Sequence, residues 1–226
     1  MIPYTSDFNK RNPSLGRNRI KAQRIHSFLF FLVIVLFSCG KDEPEERDYA
    51  QPVFSACPVN IADFDSMTGR CGDVTSVMAY GEALGPERWS PAIEYYTLPD
   101  AGIYSVCPGY VSNIFQNPGM SDYEVWVKPS VNSVWLIIYD HVQNLEVAEN
   151  QTVNPGDLLG TAGEWSADTG RTELGINNYE GSEISFCPLL MGTPEFNRIH
   201  EDLFQQLYNA GVLASESVCL EQRVIP

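Results

Sequence analysis

The chain has 226 residues, of which 44% are apolar and 12% aromatic, with 14 basic and 29 acidic side chains. That mix excludes a disordered or collagen-like chain and suffices for one good-sized domain with appendages. From residue 39 onward 8 basic groups face 28 acidic ones, a balance of −20, so nucleic acid is not an expected partner: the phosphates would be repelled.

The first 38 residues carry the opposite charge, with Lys10, Arg11, Arg17, Arg19, Lys21 and Arg24 against Asp7 alone. They lead into an apolar run from Phe28 to Phe37, followed by Ser38-Cys39-Gly40. The run is shorter than the ~20 residues that a helix needs to cross a bilayer. A basic flank, a short apolar core and small residues after it describe a secretory signal over residues 1–38. The cysteine directly after Leu36-Phe37-Ser38 resembles that of a bacterial lipoprotein signal. The resemblance implies lipid on Cys39 and anchorage to the bacterial cell envelope, on the periplasmic face or the cell surface. Residues 39–49 are charged and interrupted by Pro44, and read as a flexible tether.

Cysteine use is consistent with export. Beyond Cys39 lie Cys57, Cys71, Cys107, Cys187 and Cys219, enough for two disulfides and one leftover thiol in an oxidising compartment. None has the C-x-x-C spacing of a zinc knuckle. The expected pairs are Cys57–Cys71, closing a short Gly-rich loop, and Cys187–Cys219, tying a C-terminal helix to the sheet.

Residues 50–78 form a Cys-containing extension. Beyond it, β-branched and aromatic runs are broken by Gly, Pro and Asn. Strands are predicted at 102–106, 122–128, 133–142, 145–148, 172–177 and 183–187, and over 153–160 Pro155-Gly156 supplies a tight turn between short strands. Along 133–142 strict alternation places Val134, Leu136 and Ile138 on one side and Trp135, Ile137, Tyr139 and His141 on the other. The result is an all-β domain, mainly antiparallel, as a barrel or sandwich over 79–191. Residues 192–226 hold a C-terminal α-helix and tail. Thr193 is its N-cap, Pro194 opens it, and Phe196, Ile199, Leu203 and Leu207 recur at helical spacing up to Gly211. His200 falls one step off that stripe and is expected at the surface.

Several stretches occur in a telling order. Tyr80-Gly81-Glu82 and Ser90-Pro91-Ala92-Ile93-Glu94-Tyr95 precede Tyr139-Asp140-His141-Val142. The hairpin from Val147 through Pro155-Gly156-Asp157 to Ala162-Gly163 follows, then Thr169-Gly170 with Glu173-Leu174-Gly175-Ile176, and Cys187-Pro188. In this order they resemble the lysostaphin-type zinc metallopeptidases, peptidoglycan-cleaving enzymes of the duplicated hybrid motif fold. The resemblance implies zinc held by His-x-x-x-Asp and by the second histidine of His-x-His. The other histidine of that pair and the one of Tyr-x-His would activate water. On this chain the first motif falls on Ser90 and Glu94. The second falls on Glu173 and Gly175, or on Thr172 and Leu174. Only His141 survives.

The residues say the same without the resemblance. Past the signal the chain has two histidines, His141 and His200, whereas a hydrolytic zinc site needs three protein ligands and an open position. No G-x-S-x-G elbow supports a serine hydrolase, and Glu94 with Glu173 reads more simply as a solvated pair than as a glycosidase dyad. The expected protein is therefore a non-catalytic, peptidase-like lipoprotein with no metal or cofactor. It would bind peptidoglycan or regulate a cell-wall hydrolase, through a groove lined by Tyr95, Trp135, Tyr139, His141 and Trp165. Two alternatives stand beside it. One is an active peptidoglycan metallohydrolase with an atypical site of His141, Glu94 and Glu173; the other is a structural docking component of an envelope complex.

Overall fold

The computed structural model describes residues 46–221 and 223–224. The signal, Cys39 and most of the tether lie outside the described residues. No helix among these is long and apolar enough to cross a membrane.

The strand at 135–143 is the centre of the architecture. Leu136, Ile137, Tyr139 and Val142 are all buried, and the β-branched and aromatic side chains there suit a sheet covered on both faces. In chain order the strands are β1 (Phe64–Asp65), β2 (Arg70–Cys71), β3 (Val74–Met78), β4 (Ala83–Gly85), β5 (Arg88–Trp89) and β6 (Ala92–Thr97). They continue as β7 (Gly102–Tyr104), β8 (Gly109–Gln116), β9 (Tyr123–Lys128), β10 (Trp135–Gln143) and β11 (Thr152–Val153). β12 (Leu158–Ser166), β13 (Thr169–Asn178), β14 (Ile184–Phe186) and β15 (Arg223–Val224) complete the set, and α1 (Pro194–Asn209) lies between the last two. This is the mainly antiparallel β architecture with a C-terminal helix that the sequence predicts.

One large sheet runs β3-β6-β13-β10-β9-β8, with β12 also pairing β10 and β13. β3, from the stretch read as an extension, hydrogen-bonds β6 and so belongs to the same sheet. β8 and the full length of β6 are strands that the turn signals alone do not mark. Residues 145–148, expected as a strand, are instead irregular: Glu146 donates a single backbone bond to Leu159, too little pairing to build a ladder.

Helix α1 begins where its caps require. The Thr193 hydroxyl accepts from the Phe196 N–H at 3.2 Å, and Pro194 follows at the first helical position. Its buried face is Phe196, His200, Leu203, Phe204 and Leu207, so the apolar stripe is rotated from the predicted one and Ile199 is only half-buried. His200 is consequently not at the surface: it is 0% exposed. Its Nδ1 meets the Phe196 carbonyl at 2.8 Å and its Nε2 the Tyr95 hydroxyl at 2.9 Å. A carbonyl can only accept, which leaves Nε2 as the acceptor for Tyr95. Burial depresses the His200 pKa to about 4.

Of the expected disulfides, Cys187–Cys219 is present. Cys57–Cys71 is not, and Cys57, Cys71 and Cys107 are all free thiols. Cys71 points into the core, with its Sγ 3.5 Å from Gln206 Oε1 on α1, while Cys57 is a half-buried thiol whose pKa is raised to about 11, by burial first and then by Glu195.

Candidate functional site

The site grows from one row of side chains across neighbouring strands. β13 lies between β6 and β10, and the register sets Glu173 opposite Glu94 on one side and Asp140 on the other. Glu124 of β9 adds to the repulsion felt by this row, since Asp140 is among the charges raising its pKa after burial. Like charges directly opposite on a sheet destabilise it. The strain is visible in Glu173, whose pKa rises to about 7, because of burial first and then Glu94 and Asp140.

Arg171 supplies the counter-charge. It precedes Glu173 by two residues on the same strand, so both side chains leave the same face. Its Nη1 lies 3.4 Å from Glu94 Oε1, and its Nη2 donates to Nε2 of His141. The guanidinium also sits over the Trp165 ring, 4.6 Å from the centroid. Glu94 is 5% exposed and Arg171 16%, so this pair is largely removed from water.

His141 is held from both sides. Its Nδ1 is 3.0 Å from Asp122 Oδ2. Asp122 is itself buried and accepts from Asn117 Nδ2 at 2.8 Å, while the same amide donates to Asp140 Oδ1 at 2.7 Å. A guanidinium has only donors, so it requires the Nε2 lone pair. Nδ1 then carries the proton, directed at the Asp122 carboxylate. Gly163 permits the approach: a Cβ there would stand 2.7 Å from Asp122 Oδ2 and 3.0 Å from the His141 carbonyl.

The backbone places His141 on a face that alternation does not predict. His141 has φ +56°, and the β9–β10 register shifts between Tyr139 and Val142. The bulge turns His141 away from the side of Tyr139 and beside Asp140, with Nε2 3.7 Å from Asp140 Oδ2 and 3.7 Å from Glu173 Oε1. A non-glycine residue at positive φ costs on the order of 1–3 kcal/mol and is characteristic of functional positions.

The residues expected from sequence divide sharply. His141, Glu94, Glu173 and Trp165 converge. Ser90 does not: its Oγ turns back to donate to the Ala92 carbonyl at 2.8 Å. Thr172 donates to the Asp140 carbonyl and Leu174 is fully buried, so neither reaches the site face; Gly175 lines a recess of about 150 Å³ beside Glu173 and Asp140. Tyr95, Trp135 and Tyr139 are core residues, not groove residues. Tyr95 bonds His200, the Tyr139 hydroxyl accepts from the Val106 N–H at 2.7 Å, and Trp135 packs on Phe186. Trp165, 56% exposed, remains at the rim, with Tyr96 edge-on to it at 5.8 Å. Asp122, Asp140 and Arg171 are the site residues that sequence reading passes over. Arg171 was detectable as the side chain two positions before Glu173 on one strand.

The zinc that the resemblance implies can be tested against these residues. Asp140, His141 and Glu173 offer ligand atoms within 4.8 Å of one another, a spacing that a cation could bridge. The nitrogen that would have to ligate is bonded to a positively charged guanidinium. The residues in place therefore do not fit a bound divalent cation.

No protein-family model matches the chain, and no curated protein sequence matches it. Among solved structures it is similar to Csd3 of Helicobacter pylori, with 15% identity and a TM-score of 0.44 over 62% of this chain and 33% of that one. It is also similar to the catalytic domain of the prophage-encoded M23 protein EnpA from Enterococcus faecalis, with 18% identity and a TM-score of 0.39 over 47% of this chain and 83% of that one. For the catalytic domain of lysostaphin from Staphylococcus simulans the identity is 12% and the TM-score 0.40, over 47% and 83%. The match thus spans a third of the length of Csd3 but most of the two catalytic domains. The similarity is one of fold, to domains of the M23 and lysostaphin type.

Proposed function

We propose that this chain is a non-hydrolytic, peptidase-like lipoprotein of the bacterial envelope, tethered by lipid on Cys39, that binds peptidoglycan. The observation carrying the reading is the bond from Arg171 to Nε2 of His141. A histidine whose lone pair accepts from a guanidinium has no free base with which to take a proton from water. Its other nitrogen is held by Asp122, so the imidazole is a structural strut. Regulation of a cell-wall hydrolase through the same surface is the neighbouring form of this reading.

The binding surface is the recess of about 260 Å³ lined by Met120, Asp122, His141, Gly163, Glu164, Trp165 and Arg171. Trp165 offers an exposed ring for the apolar face of a sugar or a peptide side chain, and Arg171 fixes the ring from beneath. Acidic groups on the recess wall can accept hydrogen bonds from hydroxyl and amide donors.

Cosedimentation of the purified protein with insoluble peptidoglycan tests this. The protein is expected in the pellet, with affinity lowered about tenfold by Trp165→Ala, equivalent to about 1.4 kcal/mol, and with no muropeptides released whether or not zinc is added. Release of muropeptides that is lost on His141→Ala would instead establish a hydrolase with an atypical site. Protein left in the supernatant, together with capture of one envelope protein, would establish the docking role.

A further inference from the structure

We infer that the open edge of β3 is a docking site for a short, extended, basic peptide segment of a partner protein, which binds there as an added strand. The inference does not rest on the proposed function: β6 stands between β3 and the strand that carries Arg171 and Glu173.

The edge is covered at both ends and bare between them. β2 pairs β3 only at Val74, through Cys71. Beyond β3, the Tyr80 N–H donates to the Val218 carbonyl at 3.0 Å, and the Tyr80 carbonyl accepts from the Leu220 N–H at 2.9 Å. Ser76, Val77 and Met78 pair with β6 on one side, and among the described residues no strand or loop pairs their other side. Exposed edges are ordinarily blunted by charged residues, proline or a bulge. From Val74 to Ala79 there is neither charge nor proline, and the one register shift, between Val74 and Ser76, lies at the end of the gap.

A cavity of about 410 Å³ adjoins this gap. Ser76 and Val77 line it from β3, Phe204 from α1, and Val212, Leu213 and Leu220 from the C-terminal tail. Val212 and Leu220 are exposed although apolar. An unpaired edge beside an apolar pocket is what strand addition uses: main-chain bonds hold the segment, and the pocket receives alternate side chains. The gap of three residues corresponds to about 10 Å of strand, so only a short stretch is held. Charge selects the occupant. Among the described residues Glu82 is the one charged side chain lining the cavity, and Glu216 and Glu221 adjoin its lining residues in sequence. All three are exposed. They repel a second copy of this acidic chain and attract Lys or Arg on an incoming segment.

The probe is a fluorescent, amidated peptide, Lys-Val-Thr-Val-Thr-Lys, titrated with the purified protein and followed by anisotropy. Its generic sequence suffices because main-chain bonds carry this mode of docking. Saturable one-to-one binding is expected below about 1 mM, with hydrogen exchange slowed at Ser76–Met78. N-methylation of alternate peptide amides should abolish binding, and glutamate in place of both lysines should weaken it by about tenfold or more. Glu82→Gln should also weaken it, while its amide oxygen can still accept from the Ala79 N–H as Glu82 Oε2 does at 3.2 Å. Ala214→Trp, at an exposed position lining the cavity, should abolish it. The inference is overturned by absence of saturable binding, by binding indifferent to N-methylation, or by binding unchanged in both variants. Two further results overturn it. Slow exchange at Ser76–Met78 without peptide would show that the chain's own tail covers the edge. A wild-type dimer that Ala214→Trp dissociates would show that a second copy does.

Discussion

Arg171→Ala, unfolded by urea in chelator at pH 7.5, is expected to be less stable than wild type by about 3 kcal/mol. The figure is the lower end of the ~3–5 kcal/mol that removal of one partner costs a buried ion pair. The lower end applies because 16% of the Arg171 side chain reaches solvent. The cause is the carboxylate row. Register forces Glu94, Glu173 and Asp140 side by side, and without the guanidinium these groups must either repel or take up protons. Arg171→Lys should recover less than half of the loss. An ammonium is a point charge, and it cannot bridge His141 Nε2 and Glu94 while lying flat against Trp165. A loss below ~1 kcal/mol for the alanine variant would show that the row is not held by this cation.

A second large effect is expected in the pH dependence of stability, where two buried groups oppose each other. His200 has a folded pKa of about 4 against an ordinary 6.5, so between those values the unfolded chain binds the extra proton. Its contribution makes stability rise with pH through that window, by about 3 kcal/mol in all. Glu173 behaves oppositely. Its folded pKa of about 7 lies above the ordinary 4.5, so the folded chain binds the extra proton, and stability falls as pH rises between them. In wild type the two slopes offset each other through the shared window. Glu173→Gln should therefore unmask a steep gain in stability from pH 4.5 to 6.5. His200→Gln, whose amide can still donate to the Phe196 carbonyl and accept from Tyr95, should unmask a decline from pH 4.5 to 7. Denaturation midpoints of the two variants that share the wild-type profile would contradict both assignments.

What the sequence made legible was whatever local pattern alone decides. The core of β10 announces itself through Trp135–Val142, and α1 through Thr193, Pro194 and helical spacing, because caps and side-chain periods act over a few residues. β10 and most of β13 fall on the strands expected at 133–142 and 172–177, whereas β12 runs on to Ser166, past the short strands expected either side of Pro155-Gly156. The site was half legible. Glu94, His141, Glu173 and Trp165 were found, but Arg171 and Asp122 matter through partners distant in sequence: Glu94 and His141 for Arg171, and His141 for Asp122.

The errors have physical causes. Alternation put His141 beside Tyr139, and a single positive φ at a bulge reverses that. Aromatic content suggested a groove, yet Tyr95, Trp135 and Tyr139 fill the interior, the commoner fate of aromatic residues on covered strands. His200 lies inside because the helix is rotated so that Phe204 joins its buried face and Tyr95 supplies a polar partner. Cys57 and Cys71 share a short sequence interval, but Cys71 is committed to the core against α1.

The protonation of the His141 ring decides whether Arg171 occupies its lone pair. In protein carrying ¹⁵N-histidine, long-range ¹⁵N–¹H correlation at pH 7 separates the two tautomers, and His200→Gln assigns the signals. A proton is expected on Nδ1, facing Asp122, and a bare Nε2 accepting from Arg171, with neither resonance displaced by one equivalent of zinc. A proton on Nε2, or displacement of the Nε2 resonance on adding zinc to the wild-type protein, would contradict it.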